Sequence, residues 1–459
     1  MTRQPIRDVA TTPPRELGLR DLILFSTACI VSIRWIPAAA VAGPGSVTLW
    51  LLAAVLFVGP LAVAVAALVR KYPGVGGMYL WTRRDFGPWH GFLCFWVYWM
   101  GIAFWFPGAA MFYMSAAIHL LGPSYAHLAD DRAFLVAVSL AAIWIALGTN
   151  LCGMRIGKWT ENLGGMASAV LAVIFITLAA LIGIRKGSAT PLDLVPAMNW
   201  DTAGFGATIA YAMSGLEMAG LMAGEIRDPE RTVSRAGWIA SGFAVIFYTS
   251  TTLALLVMAP PAEISALHGL ARAAETAGGT LGAGWIPPLI ALLVLATAVG
   301  QFGGFGSSVS RLPFAAGVDG LLPAAFGRLH PRWQTPHISI LALGVVASFL
   351  LVVAQLGDTL RAAYQALISL MVIVGFLPYT YIFASAWKAG KRWSAVSGWA
   401  VTAVAVLGSV APTRDVSRVW VFEAKLALGT AAVIASAWLV YRSQSRKRAM
   451  TSGSSSPDR

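Results

Sequence analysis

The sequence predicts an all-α integral membrane protein of about 12 transmembrane helices. Three observations carry this. Hydrophobic residues make up 58% of the 459 and charged residues only 12%. Mean hydropathy is +0.71. Apolar stretches of about 20 residues, the length that crosses a bilayer, recur along the whole chain. A soluble domain has too few charges at this composition to cover its apolar surface, so a disordered, coiled-coil or ordinary cytosolic chain is excluded.

The spans follow in order. The first, 20–42, is apolar around a single charge, Arg34, and carries Ser32-Ile33-Arg34-Trp35-Ile36-Pro37 near its middle. The second is 48–69. The third, 88–120, is long and holds Pro107, which predicts a tilt or kink. Polar breaks separate 132–152, 162–184, 202–224 and 236–258. The sixth of these spans contains Ser214-Gly215-Leu216-Glu217. The eighth, 284–306, is interrupted as an apolar run by Gly300, Gly303, Gly304 and Gly306. The last four are 337–355, 362–386, 394–411 and 421–441.

The charge balance is 33 Lys and Arg against 20 Asp and Glu, a net +13. The basic residues sit in short loops between apolar runs rather than in an aromatic-interleaved patch, so they report topology and not nucleic acid. Counted by alternate loops, 24 Lys and Arg fall on the side of both termini and 8 on the other, with Arg34 inside a span. This predicts cytoplasmic termini and an even number of spans in the cell (inner) membrane. Residues 1–16 read as a cytoplasmic tail, and 443–459 as a disordered one. A signal-peptidase site at Ala38–Ala42 is rejected, because Arg34 interrupts the apolar run.

Cys29, Cys94 and Cys152 form no CxxC, the six histidines form no ligand cluster, and neither GxxxxGK[ST] nor HExxH occurs. No metal, no cofactor, no ATP-driven step and no catalytic constellation is expected. A channel ordinarily uses symmetry or rings of charge, which a lone Arg34 and Glu217 do not provide.

Spans one to five and six to ten each form an odd set, so a five-plus-five repeat must be inverted, the layout of many secondary transporters. The halves are 17–186 and 202–387 within a core of 17–387, followed by two extra helices in 388–442. Span one and span six are then the interrupted helices, each with a mid-span charge and a helix-weakening residue. The similarity of the halves lies in layout; no residue-level repeat is visible.

Three segments bear a family resemblance. The first is Lys71-Tyr72-Pro73-Gly74-Val75-Gly76-Gly77-Met78-Tyr79 with Phe86-Gly87-Pro88 and Gly91-Phe92. The second is Ser214-Gly215-Leu216-Glu217 with Gly224-Glu225-Ile226-Arg227-Asp228-Pro229. The third is Ser310-Arg311 with Asp319-Gly320-Leu321-Leu322-Pro323 and Thr335-Pro336. Together they resemble the amino acid–polyamine–organocation (APC) superfamily of amino acid permeases, over roughly 17–390. The Gly-Leu-Glu-Met form of span six is similar to the glutamate/γ-aminobutyrate antiporter branch. The resemblance implies a LeuT-type fold and alternating access for an amino acid-like substrate, driven by protons or by exchange. Polyamine uptake is the alternative. The chain departs from the family where Ile30-Val31-Ser32 replaces the usual glycine loop of span one, and span five lacks the family's lysine near Ala169.

The resemblance implies a substrate site of Ile30, Ser32, Ile33, Arg34, Tyr211, Ser214, Gly215, Glu217 and Phe305. For Arg34 two readings stand: a bidentate hold on a substrate carboxylate, or a fixed salt bridge to Glu217. For Glu217 the readings are proton carrier or a brace for backbone freed by the break. Tyr211 and Phe305 are gate aromatics or ordinary packing. Glu225, Arg227, Asp228, Arg311 and Asp319 read as a cytoplasmic gate or as surface pairs of little worth. Gly76-Gly77 reads as a turn in a re-entrant connection or as a plain loop.

Overall fold

The computed structural model describes residues 15, 17–74, 76–118, 122–197, 200–356, 360–411, 416 and 418–453. The expected tail 1–16 apart from Arg15, the end of the third span at 119–120, and the last six residues lie outside them. The described residues form helices and no β-strand. One isolated bridge joins Leu17 to Ile226.

The first apolar run is split into α1 (Leu19–Ile30) and α2 (Trp35–Ala40). Next come α3 (Gly45–Ala53) and α4 (Gly59–Lys71), joined through a π-helical turn at Ala54–Val58. A short helix α5 (Met78–Phe86) precedes α6 (Pro88–Ile118), which runs through Pro107. Then follow α7 (Arg132–Leu151) and α8 (Met154–Lys186). The sixth run is split into α9 (Trp200–Ala212) and α10 (Glu217–Leu221). The remainder are α11 (Pro229–Met258), α12 (Gly269–Leu281), α13 (Ile286–Val309), α14 (Arg311–Val318), α15 (His337–Ala354), α16 (Leu360–Lys388), α17 (Arg392–Gly408) and α18 (Val419–Gly453).

Nine helical stretches among the described residues are long and apolar enough to cross a membrane. The other three expected spans are the two interrupted runs and the 17-residue α17. The sequence reading missed α5 and α12. It also ended the last span at 441, whereas α18 continues through the basic segment to Gly453.

The core sits around α6 and α16, each 83% buried over its most apolar stretch, against 17% for α18 at the edge. They pack on each other, while α1 packs on α11 and α8 on α13. The glycines of the eighth span do not interrupt its helix. They let α13 approach α8: a Cβ on Gly300 would lie 2.5 Å from the Gly164 Cα, too close for any side chain.

The π-helical turn has a local cause. Pro60 has no N–H to offer the Leu56 carbonyl, and its ring clashes with a regular turn there. Backbone groups in lipid still need partners. The Leu56 carbonyl accepts from Ser397 Oγ (2.6 Å) and the Pro60 carbonyl from Ser394 Oγ (2.5 Å), which fastens α17 against this bend.

Gly300→Ala is expected to lower the thermal midpoint in detergent, since overpacking costs about 1–3 kcal/mol. Gly279→Ala, on the open face of α12 with no atom within 4 Å of the new Cβ, serves as the matched control. It should leave stability unchanged or raise it slightly. Equal midpoints for the two variants would contradict the close helix crossing.

Candidate functional site

Both interrupted helices leave backbone groups that a bilayer does not satisfy. Val31 is extended, at φ −83° and ψ 112°, which turns the chain out of α1. The phenol of Tyr248 on α11 serves both breaks. It accepts from the Ser32 N–H (2.9 Å), and its own proton lies between the carbonyls of Ile30 (2.7 Å) and Ala212 (3.2 Å). The Tyr248 ring is held in turn by Trp50, stacked at 4.2 Å and 3°. Trp50 Nε1 donates to Thr252 Oγ1 at 3.1 Å. Gln301 on α13 completes the arrangement. Its Nε2 donates to the Val31 carbonyl, and its Oε1 accepts from Tyr113 and from Ser32 Oγ (2.5, 2.5 and 3.1 Å).

Gly215 lets the second break lie directly on the first. Its φ is +120°, and a Cβ there would stand 3.2 Å from the Cys29 carbonyl oxygen. Glu217 begins α10 and is 1% exposed. Its Oε1 accepts from Tyr98 and Tyr379, both at 2.7 Å, and its Oε2 from the Gly215 N–H at 3.1 Å. The carboxyl is therefore engaged on both oxygens by donors other than Arg34.

Arg34 is also 1% exposed. Its guanidinium carbon lies 4.1 Å from the ring centre of Trp35 and 5.3 Å from that of Trp105. Nη2 donates to the Met371 sulfur at 3.1 Å, while Nε and Nη1 have no hydrogen-bond partner. The Arg34–Glu217 salt bridge considered from the sequence is not formed. Stacking on aromatic rings offsets part of the burial cost, about 2 kcal/mol when desolvated. It satisfies none of the in-plane donors. The site holds a permanent cation without an anion.

Trp35 and Trp105 are also walls of a small cavity between the two breaks and α6. It encloses about 20 Å³, the room of a single water. Trp105 stacks on Phe305 at 4.1 Å, and Trp35 meets Tyr211 edge-on at 6.3 Å. Of the expected substrate residues, Ile30, Ser32, Tyr211, Ser214 and Phe305 line this cavity. Ile33, Arg34, Gly215 and Glu217 do not: Arg34 stacks on its tryptophan walls, and Glu217 binds Tyr98, which is one of its lining residues.

The expected gate residues resolve into two clusters. Glu225, in a 3-10 turn after α10, takes both Nε and Nη2 of Arg311, the latter at 2.8 Å. The pair is buried. Asp319 does not join it. It binds Arg83 and Tyr79 of α5 instead. Arg227 donates from Nε to the Arg15 carbonyl at 3.4 Å, and Asp228 adopts φ +49° at the start of α11 without capping it. Backbone bonds from Leu17 N–H to the Glu225 carbonyl and from Arg227 N–H to the Leu17 carbonyl, each 3.0 Å, tie the chain before α1 to the chain after α10. Gly76 and Gly77 pack beneath the same place, with the Gly76 N–H 3.4 Å from the Leu221 carbonyl.

Sequence reasoning missed Tyr98, Trp105, Tyr113, Tyr248, Gln301 and Tyr379. Gln301 was open to detection as an amide inside an apolar run. The aromatic residues carried no such mark among the 50 in the chain.

Tyr248→Phe removes one hydroxyl from three backbone groups. The expected loss is about 1–3 kcal/mol of stability, the cost of leaving buried polar groups unsatisfied. Tyr364→Phe is the control, because the Tyr364 hydroxyl is buried and has no hydrogen-bond partner; it should cost nothing. Thermal unfolding of both in one detergent decides it.

Comparison with known proteins agrees with this architecture. A family model described as "Amino acid permease" matches residues 17–413. An uncharacterised transporter of Legionella pneumophila is 24% identical over 379 residues, 82% of this chain and 81% of its own. A probable agmatine/putrescine antiporter of Lactococcus lactis is 23% identical, covering 80% of this chain and 78% of its own. An L-lysine transport protein of Corynebacterium glutamicum is 25% identical, covering 81% and 74%. The family match spans most of the sequence, and its relatives are transporters rather than enzymes: the chain belongs to the amino acid permease family of membrane transporters.

Proposed function

We propose that this protein is a secondary transporter for an amino acid or related small carboxylate, working by alternating access around the two helix breaks. In this reading the chain crosses the cell membrane 12 times with both termini cytoplasmic. Residues 17–186 and 202–387 form an inverted repeat of the LeuT type, with α1–α2 and α9–α10 as its interrupted first helices. Residues 388–442 add the last two spans.

One observation carries the substrate assignment: Arg34 is buried beside the cavity with Nε and Nη1 lacking hydrogen-bond partners. A planar fork with donors to spare suits a carboxylate bound bidentately. The cavity as it stands has room for about 20 Å³, so a substrate requires the lining helices to separate, and the Glu225–Arg311 and Arg83–Asp319 pairs are contacts that such opening would break. Tyr211, Phe305 and the two tryptophans would enclose the substrate's apolar part. Glu217 fixes the unwound segment. A coupling role for it requires one of its three donors to withdraw.

Two relatives are named for cationic cargo, agmatine or putrescine in one and lysine in the other. A polyamine is the alternative substrate class here. A fixed cation at Arg34 opposes it, since Glu217 is already occupied by Tyr98, Tyr379 and Gly215.

A stabilisation screen of purified protein across amino acids, amines and organic acids tests the reading. Carboxylates should raise the thermal midpoint and simple polyamines should not. Arg34→Lys should fold and bind its best carboxylate about 10- to 100-fold more weakly, the loss of one charged hydrogen bond. Undiminished affinity in that variant removes Arg34 from the site. Reconstituted uptake should follow a pH gradient or trans-side substrate, and strict dependence on sodium would contradict the coupling proposed here.

A further inference from the structure

A second buried carboxyl lies away from the cavity. Glu161, on α8, is 3% exposed. Its Oε1 accepts from Ser307 Oγ at 3.1 Å. Its stem packs on Gly303 and Gly304 of α13, with Cγ at 3.7 and 4.0 Å from where their Cβ atoms would be. No ion pair involves it among the described residues.

The cation linked to it through Ser307 is committed elsewhere. Arg311 gives Nε and Nη2 to Glu225 and Nη1 to the Ser307 carbonyl. Ser307 thus stands between the two groups, its hydroxyl on Glu161 and its carbonyl on Arg311. Among the described residues, Arg311 and its partner Glu225 are the charges linked to Glu161 through Ser307. From α1 the thiol of Cys29 faces it. On α11, Arg231 and Arg235 are solvent-exposed. Two buried carboxyls therefore share one guanidinium, and only one of them has it.

An ionised carboxylate buried without a cation is very costly, and the group relieves this by holding a proton. A small cavity of about 10 Å³ adjoins Ser307 and Arg311; Asn150, Ser310 and Thr335 supply its other polar lining, and Gly153, Pro336 and Ile340 its apolar lining. We propose that Glu161 is a proton-carrying site whose occupancy is set by the Glu225–Arg311 pair. While Arg311 holds Glu225, Glu161 keeps its proton. When the turn bearing Glu225 leaves α13, Arg311 is left buried and turns to the remaining carboxyl. The Glu161 O–H bond then breaks, its electron pair stays on the carboxylate, and the proton passes to water admitted at the cavity beside Ser307 as that movement widens it. The protonation switch follows from this geometry alone. That it couples transport to a proton gradient rests on the transporter reading above.

The test needs no substrate. Infrared spectra of the purified protein are recorded at neutral pH for wild type, Glu161→Gln, Glu225→Gln and the double variant. A protonated-carboxyl band is expected in wild type and absent in Glu161→Gln. Glu225→Gln frees Arg311, so the same band should weaken there at equal pH. A neutral Glu161 also makes Glu161→Gln nearly isosteric, so its thermal midpoint should match wild type. A wild-type band that survives Glu161→Gln, or one indifferent to Glu225→Gln, overturns the proposal. So does strong destabilisation by Glu161→Gln, which would mark an ionised brace. Stabilisation by sodium that disappears in Glu161→Gln would replace the proton with a metal cation and overturn it as well. In liposomes, loss of pH-driven uptake with retained exchange in Glu161→Gln extends the switch to coupling. Absence of any transport by wild type counts against the transporter reading and leaves the spectroscopic result standing.

Discussion

Two helices broken inside an apolar bundle impose the constraint on which the rest of this structure depends. Each break frees backbone donors and acceptors where water does not compete to satisfy them. The chain answers with one phenol. Tyr248 reaches Ile30, Ser32 and Ala212 at once, so the two breaks are registered to each other through a third helix. Trp50 fixes that phenol, Gln301 and Tyr113 finish the first break, and Glu217 finishes the second through Gly215, Tyr98 and Tyr379. The cavity is the space these obligations leave between them.

The same logic separates the two mid-bundle charges. Pairing Arg34 with Glu217 would satisfy both and leave the site inert. Instead Glu217 is spent on the backbone and two tyrosines, and Arg34 is left on tryptophan faces with donors unused. A buried cation held this way costs stability. In the transporter reading proposed above, a bound carboxylate offsets that cost. At the far end of α13 the stoichiometry is reversed: one arginine stands among two carboxyls, Glu225 and Glu161.

Much of the helical architecture was legible in the sequence, because span length follows directly from bilayer physics. The interruptions near Arg34 and Ser214-Gly215 were legible for the same reason, since a charge and a helix-weakening residue at mid-span have few other uses. What was hidden depends on contacts between distant segments. Tyr248 lies 216 residues from Ser32, and nothing local distinguishes its phenol from a lipid-facing one. The glycines of α13 read as gaps in an apolar run, because the partner of Gly300, Gly164, is seen only once α8 and α13 are placed together. Asp319 was grouped with Arg311 by proximity along the chain, yet it binds Arg83 on α5, a helix too polar and short for a span pattern to reveal.

The unsatisfied Arg34 guanidinium is the proposed reader of a substrate carboxylate. Counterflow in proteoliposomes with matched pairs, each an amino acid and the amine left by its decarboxylation (arginine with agmatine, lysine with cadaverine, and so on through the common set), isolates that group while holding the rest of the molecule constant. The protein is expected to move at least one amino acid and to exchange none of the matching amines at a comparable rate. An amine carried as fast as its parent amino acid would contradict it.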